Sequence, residues 1–248
     1  MSYKNIYILG VGGSGMSSIA KYLKQKGDNV IGYDQRKSYV TNLLNQDGIK
    51  VLHTLDEIKY KPESLYIYSS AIPIKSDRFE DFYNKENVLS RPEYLKNLSE
   101  NHKIIGITGT HGKTSTTALL SHIFHFNNVN VSYLYGGITT FNGIGGHYGD
   151  PDQPLILETD EAFNTFEKIK ISDLLVLNVD SDHLDYFKNL DNYKDAFYKV
   201  MKNVTDNLVI NNDDLNIKSM KELKNPVSYG KDISADFKVQ SPGTFLYE

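Results

Sequence analysis

The stretch "IYILGVGGSGMSSIAKYLKQKG", Ile6 to Gly27, decides how the chain begins to fold. Its apolar opening, Ile6 to Leu9, has strand length and runs straight into a glycine-rich turn holding Gly10, Gly12, Gly13 and Gly15. Beyond the turn, Met16, Ile19, Ala20 and Leu23 recur at i, i+3, i+4 and i+7, which lays one apolar stripe along a helix, and Gly27 is placed to end it. Strand, glycine loop and helix in that order predict a parallel α/β unit. Gly10, Gly12 and Gly15 satisfy G-x-G-x-x-G, and Asp34 closes the next apolar run, "VIGYD", at the separation expected of a ribose-binding acid. Glycines let backbone N–H groups come close to a diphosphate, and the helix N-terminus directs about half a positive charge toward it. That chemistry suits NAD, FAD or a nucleotide sugar alike, and the same glycines can also make a tight turn that binds nothing.

Working outward, "NVIGY", a polar segment, "SLYIYSS" and "VLSRP" continue the alternation of the first half. Around "KNLSENHK", Lys96 to Lys103, the composition turns polar and places a boundary, so the expected domains are residues 1–100 and 101–248. The second opens with another strand, loop and helix, "KIIGITGTHGKTSTTALLSHIF", and continues through "VNVSYLY", "PLILE", "DLLVLNV" and "NLVIN". A helix is predicted from about Asn192 to Lys202, where Tyr193, Ala196, Phe197 and Val200 share a face. The expected fold class is therefore α/β, a Rossmann-like N-terminal domain followed by a P-loop-containing α/β ATPase-type domain. After "PVSYG" the tail "KDISADFKVQSPGTFLYE" reads as one or two strands with no closing element, so the second domain reads as C-terminally incomplete.

Composition narrows the function. A chain of 248 residues with 40% hydrophobic content suits two modest cores. A formal net charge of −4 lacks the basic excess of a nucleic-acid binder, so no nucleic-acid partner is expected. No apolar run approaches the roughly 20 residues that span a bilayer, and "MSYKN" enters a strand without a signal-peptide core; the expected location is cytoplasmic, with no membrane partner. With no cysteine in the sequence, disulfides, thiolate metal sites and cysteine nucleophiles are excluded, and any metal must use oxygen or imidazole ligands.

"GITGTHGKTST", Gly106 to Thr116, puts Gly112, Lys113 and Thr114 at a strand-to-helix junction. In such a loop the backbone wraps phosphates, the lysine meets the β/γ oxygens and the Thr hydroxyl binds Mg²⁺. The spacing departs from strict G-x-x-x-x-G-K-[ST]: Ile107 stands where the opening glycine belongs, so that role falls to Gly106 or Gly109. The phosphate-binding residues expected of this loop are Gly109, Thr110, His111, Gly112, Lys113, Thr114 and Ser115. Two acid-rich strand ends follow. "LILETDE" delivers Glu158, Asp160 and Glu161, and a strand-end Glu opposite Thr114 suits the oxygen-seeking Mg²⁺. "NVDSDHLD" delivers Asn178, Asp180, Asp182, His183 and Asp185; on the residues alone His183 reads either as a structural, hydrogen-bonded group or as a ligand. His53, His102, His122, His125 and His147 show no pattern beyond a surface or helix-face position.

"GVGGSGMSSIA", "TGTHGKTST", "ETDEAFNTF" and "NVDSDHLD", in this order and spacing, resemble the Mur ligase family from the first strand to about Gly230. The resemblance implies that the first loop holds the UDP of UDP-N-acetylmuramate, through Gly10, Gly12, Gly13, Ser14, Gly15, Met16 and Asp34, with Ser69, Ser70 and Ala71 of "YSSAI" on the uridine side. It implies that the second loop holds ATP through Gly109 to Ser115, that Lys113, Glu158 and His183 are catalytic, and that His111 lies near the sugar substrate as well as the nucleotide. Thr114 and Glu158 would bind a first Mg²⁺ and His183 would help bind a second near the γ-phosphate. "SRPEY" is similar to the segment that closes the first domain. The position of a modifiable lysine in some relatives is Tyr198 here, which fits an alanine-adding branch and leaves Lys194 and Lys199 as surface charges. "YGGI", Tyr135 to Ile138, suggests a sugar-facing turn, while the following "TTFNGIGGHYGD" departs from the family pattern.

The activity the resemblance implies is an ATP-dependent carboxylate–amine ligase. The lactoyl carboxylate of UDP-N-acetylmuramate attacks the γ-phosphate, and the amine of L-alanine displaces phosphate from the acyl phosphate. Phosphorylation supplies the leaving group that a bare carboxylate lacks, and the protein's share is positioning and charge neutralisation. The family's third domain, which receives the amino acid, would begin beyond Glu248, so the chain is expected to be a fragment or truncation with little turnover alone. Competing readings are a ligase attaching recycled murein peptide to UDP-N-acetylmuramate and a non-catalytic UDP-sugar-binding module. A third, an NAD-dependent reductase, rests on Gly10, Gly12, Gly15 and Asp34 and leaves Lys113 and Thr114 unexplained.

Overall fold

The computed structural model of the chain describes residues 3–160, 165–180, 187–220, 223 and 225–238. They form two compact units. One gathers the residues up to His102 together with Thr117–Leu157; the other gathers Lys103–Thr116 with the residues from Glu158 onward. Both are mixed α/β with parallel sheets.

In the first unit a five-stranded parallel sheet has the order β3-β2-β1-β4-β5, built from β1 (Asn5–Leu9), β2 (Val30–Tyr33), β3 (Lys50–Leu52), β4 (Ser64–Tyr68) and β5 (Val88–Ser90). The expected first helix is present as α1 (Ser14–Gln25), and it buries Met16, Ile19, Ala20 and Leu23. Gly27 takes φ +100° as its N–H donates to Lys24 O, while the amide of Asp28 donates to Leu23 O, so the helix ends where the sequence indicated.

The polar segment after β2 contains a helix, α2 (Tyr39–Gln46), closed at its start by a reciprocal capping box between Ser38 and Thr41. "VLSRP" is a strand only to Ser90; Ser90 and Glu93 form a second capping box, and α3 (Arg91–Ser99) absorbs the first half of the stretch read as a polar boundary. Below the sheet an aromatic core forms from Tyr7, Tyr33, Tyr66, Phe79 and Phe82. Tyr7 stacks on Tyr66 at 5.0 Å. The Tyr66 hydroxyl donates to Lys59 O and accepts from Lys61 N, and burial pushes its pKa up to about 12.

Segment 117–157 joins this unit through a hairpin laid on α1. β7 (Ser132–Thr139) pairs antiparallel with β8 (Gly143–His147) and parallel with β9 (Leu155–Glu158). Gly146 sits so close to α1 that a Cβ there would lie 2.1 Å from Ser18 O. Lys21, buried on α1, donates through Nζ to the carbonyls of Asn142 and Ile144. Burial lowers its pKa, with Asp47 opposing.

In the second unit the parallel order is β13-β12-β11-β10-β6, from β6 (Ile104–Thr108), β10 (Asp173–Val176), β11 (Leu208–Asn211), β12 (Val227–Gly230) and β13 (Phe237–Lys238). Helix α4 (Lys113–Phe126) starts at the second loop, and α5 (Thr165–Lys168) is a single turn. The helix expected from Asn192 begins two residues earlier, as α6 (Leu190–Lys202), capped by Asn189 and burying Tyr193, Ala196, Phe197, Val200 and Met201. A short α7 (Leu215–Lys218) is capped by Asp214. Among the described residues no helix is long and apolar enough to cross a membrane.

Candidate functional site

At the C-terminal end of β1 the glycine loop is tied to β2. Gly10, at φ +82°, and Val11 both donate their amides to Tyr33 O, and Gly13 N donates to Gly10 O. Gly12 N donates to Asp34 Oδ2 at 2.8 Å, while Arg36 N donates to Asp34 Oδ1 at 3.0 Å. A Cβ on Gly12 would stand 2.7 Å from that same carboxylate oxygen, so the glycine is required by the acid. The Asp34 carboxylate therefore braces the loop as well as facing outward.

A cavity of about 460 Å³ opens beside this loop. It brings together Gly10, Gly13, Asp34, Ser69 and Ala71 of the expected residues. Sequence reasoning passed over Arg36, Arg78 and Phe79, which also line it. The other expected residues lie around it. Ser14 starts α1 and accepts from the Ser17 hydroxyl, Met16 is buried in the core, and Ser70 is exposed. Gly15 faces Arg91, whose guanidinium would be 2.8–2.9 Å from a Cβ at that position.

The second loop belongs wholly to the second unit. Gly109 at φ +142° and Gly112 at φ +85° provide its two left-handed turns, and a Cβ on Gly109 would crowd Leu177 and Asn178. Lys113 Nζ donates to Gly109 O at 2.7 Å and Thr110 O at 3.2 Å, which curls the ammonium over the loop. Thr114 Oγ1 donates to Glu158 Oε1 at 2.6 Å, and Glu158 is 8% exposed. Thr110 through Ser115 and Glu158 line one cavity of about 290 Å³.

Asn178, noted in sequence only as a strand-end residue, clamps the loop: its Oδ1 accepts from His111 N at 2.7 Å and its Nδ2 donates to His111 O at 3.0 Å. Thr110, buried, shares a hydrogen bond with the Tyr193 hydroxyl at 2.9 Å and accepts from Asp180 N at 2.8 Å.

Glu161, Asp182, His183 and Asp185 lie outside the described residues. Among the described residues no group of three or more His, Asp or Glu is arranged to hold a metal, while the hydroxyl and carboxylate oxygens of Thr114 and Glu158 form a hard-donor pair of the kind Mg²⁺ prefers. Tyr198 is half-buried with the Lys202 ammonium over its ring; Lys194 is half-buried and Lys199 exposed.

Tyr135 to Ile138 do not form a turn: they lie within β7, where the ladder to β8 is irregular between Leu134 and Ile138, and the Tyr135 hydroxyl bonds Thr139 Oγ1. The strand continues because the glycines of β8 allow close pairing there. His53, His102 and His147 have structural partners in Asp34 O, Leu98 O and Asn130 Oδ1.

Fold and loops together define a parallel α/β protein with a glycine-rich loop in one unit and a Gly-Lys-Thr phosphate-type loop in the other. The chain belongs to the Mur ligase family: the Mur ligase family catalytic domain matches residues 5–103 and the Mur ligase middle domain matches residues 107–243. A UDP-N-acetylmuramate–L-alanine ligase of Cytophaga hutchinsonii is 32% identical over 96% of this chain and 53% of its own length. One from Clostridium botulinum is 36% identical over 92% of this chain and 51% of its own. The crystal structure of the UDP-N-acetylmuramate–alanine ligase of Thermotoga maritima superposes with a TM-score of 0.77 at 25% identity, covering 91% of this chain and 52% of that one. The chain spans about half the length of the curated relatives it matches.

Proposed function

We propose that this chain carries the two nucleotide seats of an ATP-dependent ligase that joins L-alanine to the lactoyl carboxylate of UDP-N-acetylmuramate in peptidoglycan precursor synthesis. Residues 1–100 seat the UDP-sugar beside the Gly10 loop and residues 101–248 seat ATP on the Gly109–Ser115 loop. The observation that carries this reading is the convergence of the Lys113 ammonium, the Thr114 hydroxyl and the Glu158 carboxylate on one cavity. A dehydrogenase has no use for that set.

When bound, Mg²⁺-ATP supplies the phosphoryl group that activates the carboxylate, and the metal offsets phosphate charge. The residues do the rest. Lys113 exchanges the carbonyls of Gly109 and Thr110 for β/γ oxygens, with the loop amides around it. Thr114 and Glu158 would hold Mg²⁺ through hydroxyl and carboxylate oxygens, and His183, outside the described residues, would be the family-type ligand of a second. His111, its backbone fixed on both sides by Asn178, lines the nucleotide cavity with the rest of the loop. This reading assigns the reaction to the cytoplasm.

Calorimetric titration of the chain tests this. UDP-N-acetylmuramate and Mg²⁺-ATP each bind, Lys113→Ala abolishes only the ATP isotherm, and NADH gives none. Binding of NADH, with no heat from UDP-N-acetylmuramate, would overturn the reading.

A further inference from the structure

The cavity beside the Gly10 loop has an electrostatic requirement that the glycine motif does not meet by itself. A diphosphate brings two or more negative charges, yet four successive amides of the loop are already bonded inside the fold: Gly10 and Val11 to Tyr33 O, Gly12 to Asp34 Oδ2, Gly13 to Gly10 O. Asp34 itself adds a negative charge to the wall. Among the described residues that line the cavity, the positive charge comes from Arg36 and Arg78.

Arg78 is held in place by its neighbours in sequence. It lies in a pair of tight helical turns over Asp77–Phe82, broken at Phe79, and Phe79 and Phe82 are both buried at 4% exposure in the aromatic core with Tyr7 and Tyr66. Tyr66 and Phe82 meet edge to face at 5.0 Å, and Phe79 and Phe82 at 6.0 Å. Arg78 directly precedes the buried Phe79, so its exposed side chain leaves the cavity wall from a residue whose neighbour is anchored in the core. A guanidinium presents a planar fork of donors that matches phosphate oxygens bidentately, which a lysine cannot reproduce.

We infer that Arg78, which shares this cavity's lining with Arg36, is the specificity-determining cation that reads the diphosphate of the nucleotide sugar. The inference rests on the proposed reading of the cavity as a UDP-sugar seat, and it adds side-chain charge from the Asp77–Phe82 segment to what the helix N-terminus beyond the glycine loop supplies.

The test is calorimetric titration of the chain and its Arg78→Gln, Arg78→Lys and Lys75→Gln variants with UDP and with uridine. Lys75 carries the same charge three residues away on the same segment but does not line the cavity. Loss of a charge-assisted contact to phosphate weakens UDP by about tenfold or more in Arg78→Gln. Uridine binding is unchanged, Lys75→Gln matches the parent, and Arg78→Lys recovers part of the loss. If Arg78→Gln binds UDP as tightly as the parent, or loses uridine and UDP equally, the role of Arg78 is wrong while the UDP-sugar reading stands. If the parent chain binds neither UDP nor UDP-N-acetylmuramate, both fall together.

Discussion

Gly12 and Asp34 are joined by a 2.8 Å hydrogen bond from the glycine amide to the aspartate carboxylate, which makes the expected ribose acid a brace for the loop it faces. Replacing Asp34 by Ala strands the amides of Gly12 and Arg36 without their acceptor and is expected to cost about 1–3 kcal/mol of stability. Asn keeps an acceptor oxygen and costs less. Denaturant melts of the two variants check this; an Asp34→Ala protein as stable as the parent, with only UDP affinity reduced, would assign the acid to ligand alone.

Asn178 holds both the amide and the carbonyl of His111. Asn178→Ala frees the phosphate loop at its midpoint, and two lost hydrogen bonds of about 1 kcal/mol each translate into a roughly tenfold or greater loss of Mg²⁺-ATP affinity. UDP-N-acetylmuramate binding, measured in parallel, stays unchanged.

Gly146 leaves no room for a methyl group, because its Cβ would meet a backbone oxygen of α1, Ser18 O, at 2.1 Å. Gly146→Ala forces the β7–β8 hairpin away from the helix and lowers stability by about 1–3 kcal/mol or more. Thermal or urea unfolding reads the difference directly. The hairpin also depends on Lys21, whose ammonium joins the same helix to Asn142 and Ile144.

His147 titrates below its ordinary value of 6.5: burial disfavours the charged ring, Lys21 and His125 repel it, and Asp150 only partly opposes them. Just below pH 6.5 the unfolded chain therefore binds the proton more readily than the folded one, and this group's contribution to stability is lost as pH falls through that window. The urea midpoint of the parent drops between pH 7.5 and 5.5 by more than that of His147→Gln. Equal drops would remove His147 from the pH response.

The two glycine turns were legible as turns because glycine spacing at a strand-to-helix junction has a specific backbone cause, and the left-handed φ values at Gly10, Gly109 and Gly112 are that cause. Helix α1 was legible through its four-residue stripe. Helix α2 was not, since its buried face is only Thr41 and Leu44. Helix α3 had a readable signal in Ser90-x-x-Glu93 that the polar composition of Lys96 to Lys103 obscured. Strand β8, "GIGGH", lacks the side chains whose alternation marks a strand, because α1 leaves no room for a Cβ at Gly146 and Tyr135 of β7 leaves none at Gly145. Arg78 and Asn178 are single polar residues whose importance arises from what the fold brings beside them, and no periodicity signals that.

The most direct measurement is a crystal structure of the chain grown with UDP-N-acetylmuramate, Mg²⁺ and a non-hydrolysable ATP analogue. Density for the uridine diphosphate beside Gly10, Asp34 and Arg78, together with triphosphate density over Lys113 and Thr114, is the expected result. An empty Gly109–Ser115 loop at saturating analogue, or a nicotinamide dinucleotide replacing the UDP-sugar when NAD is added in competition, would contradict it.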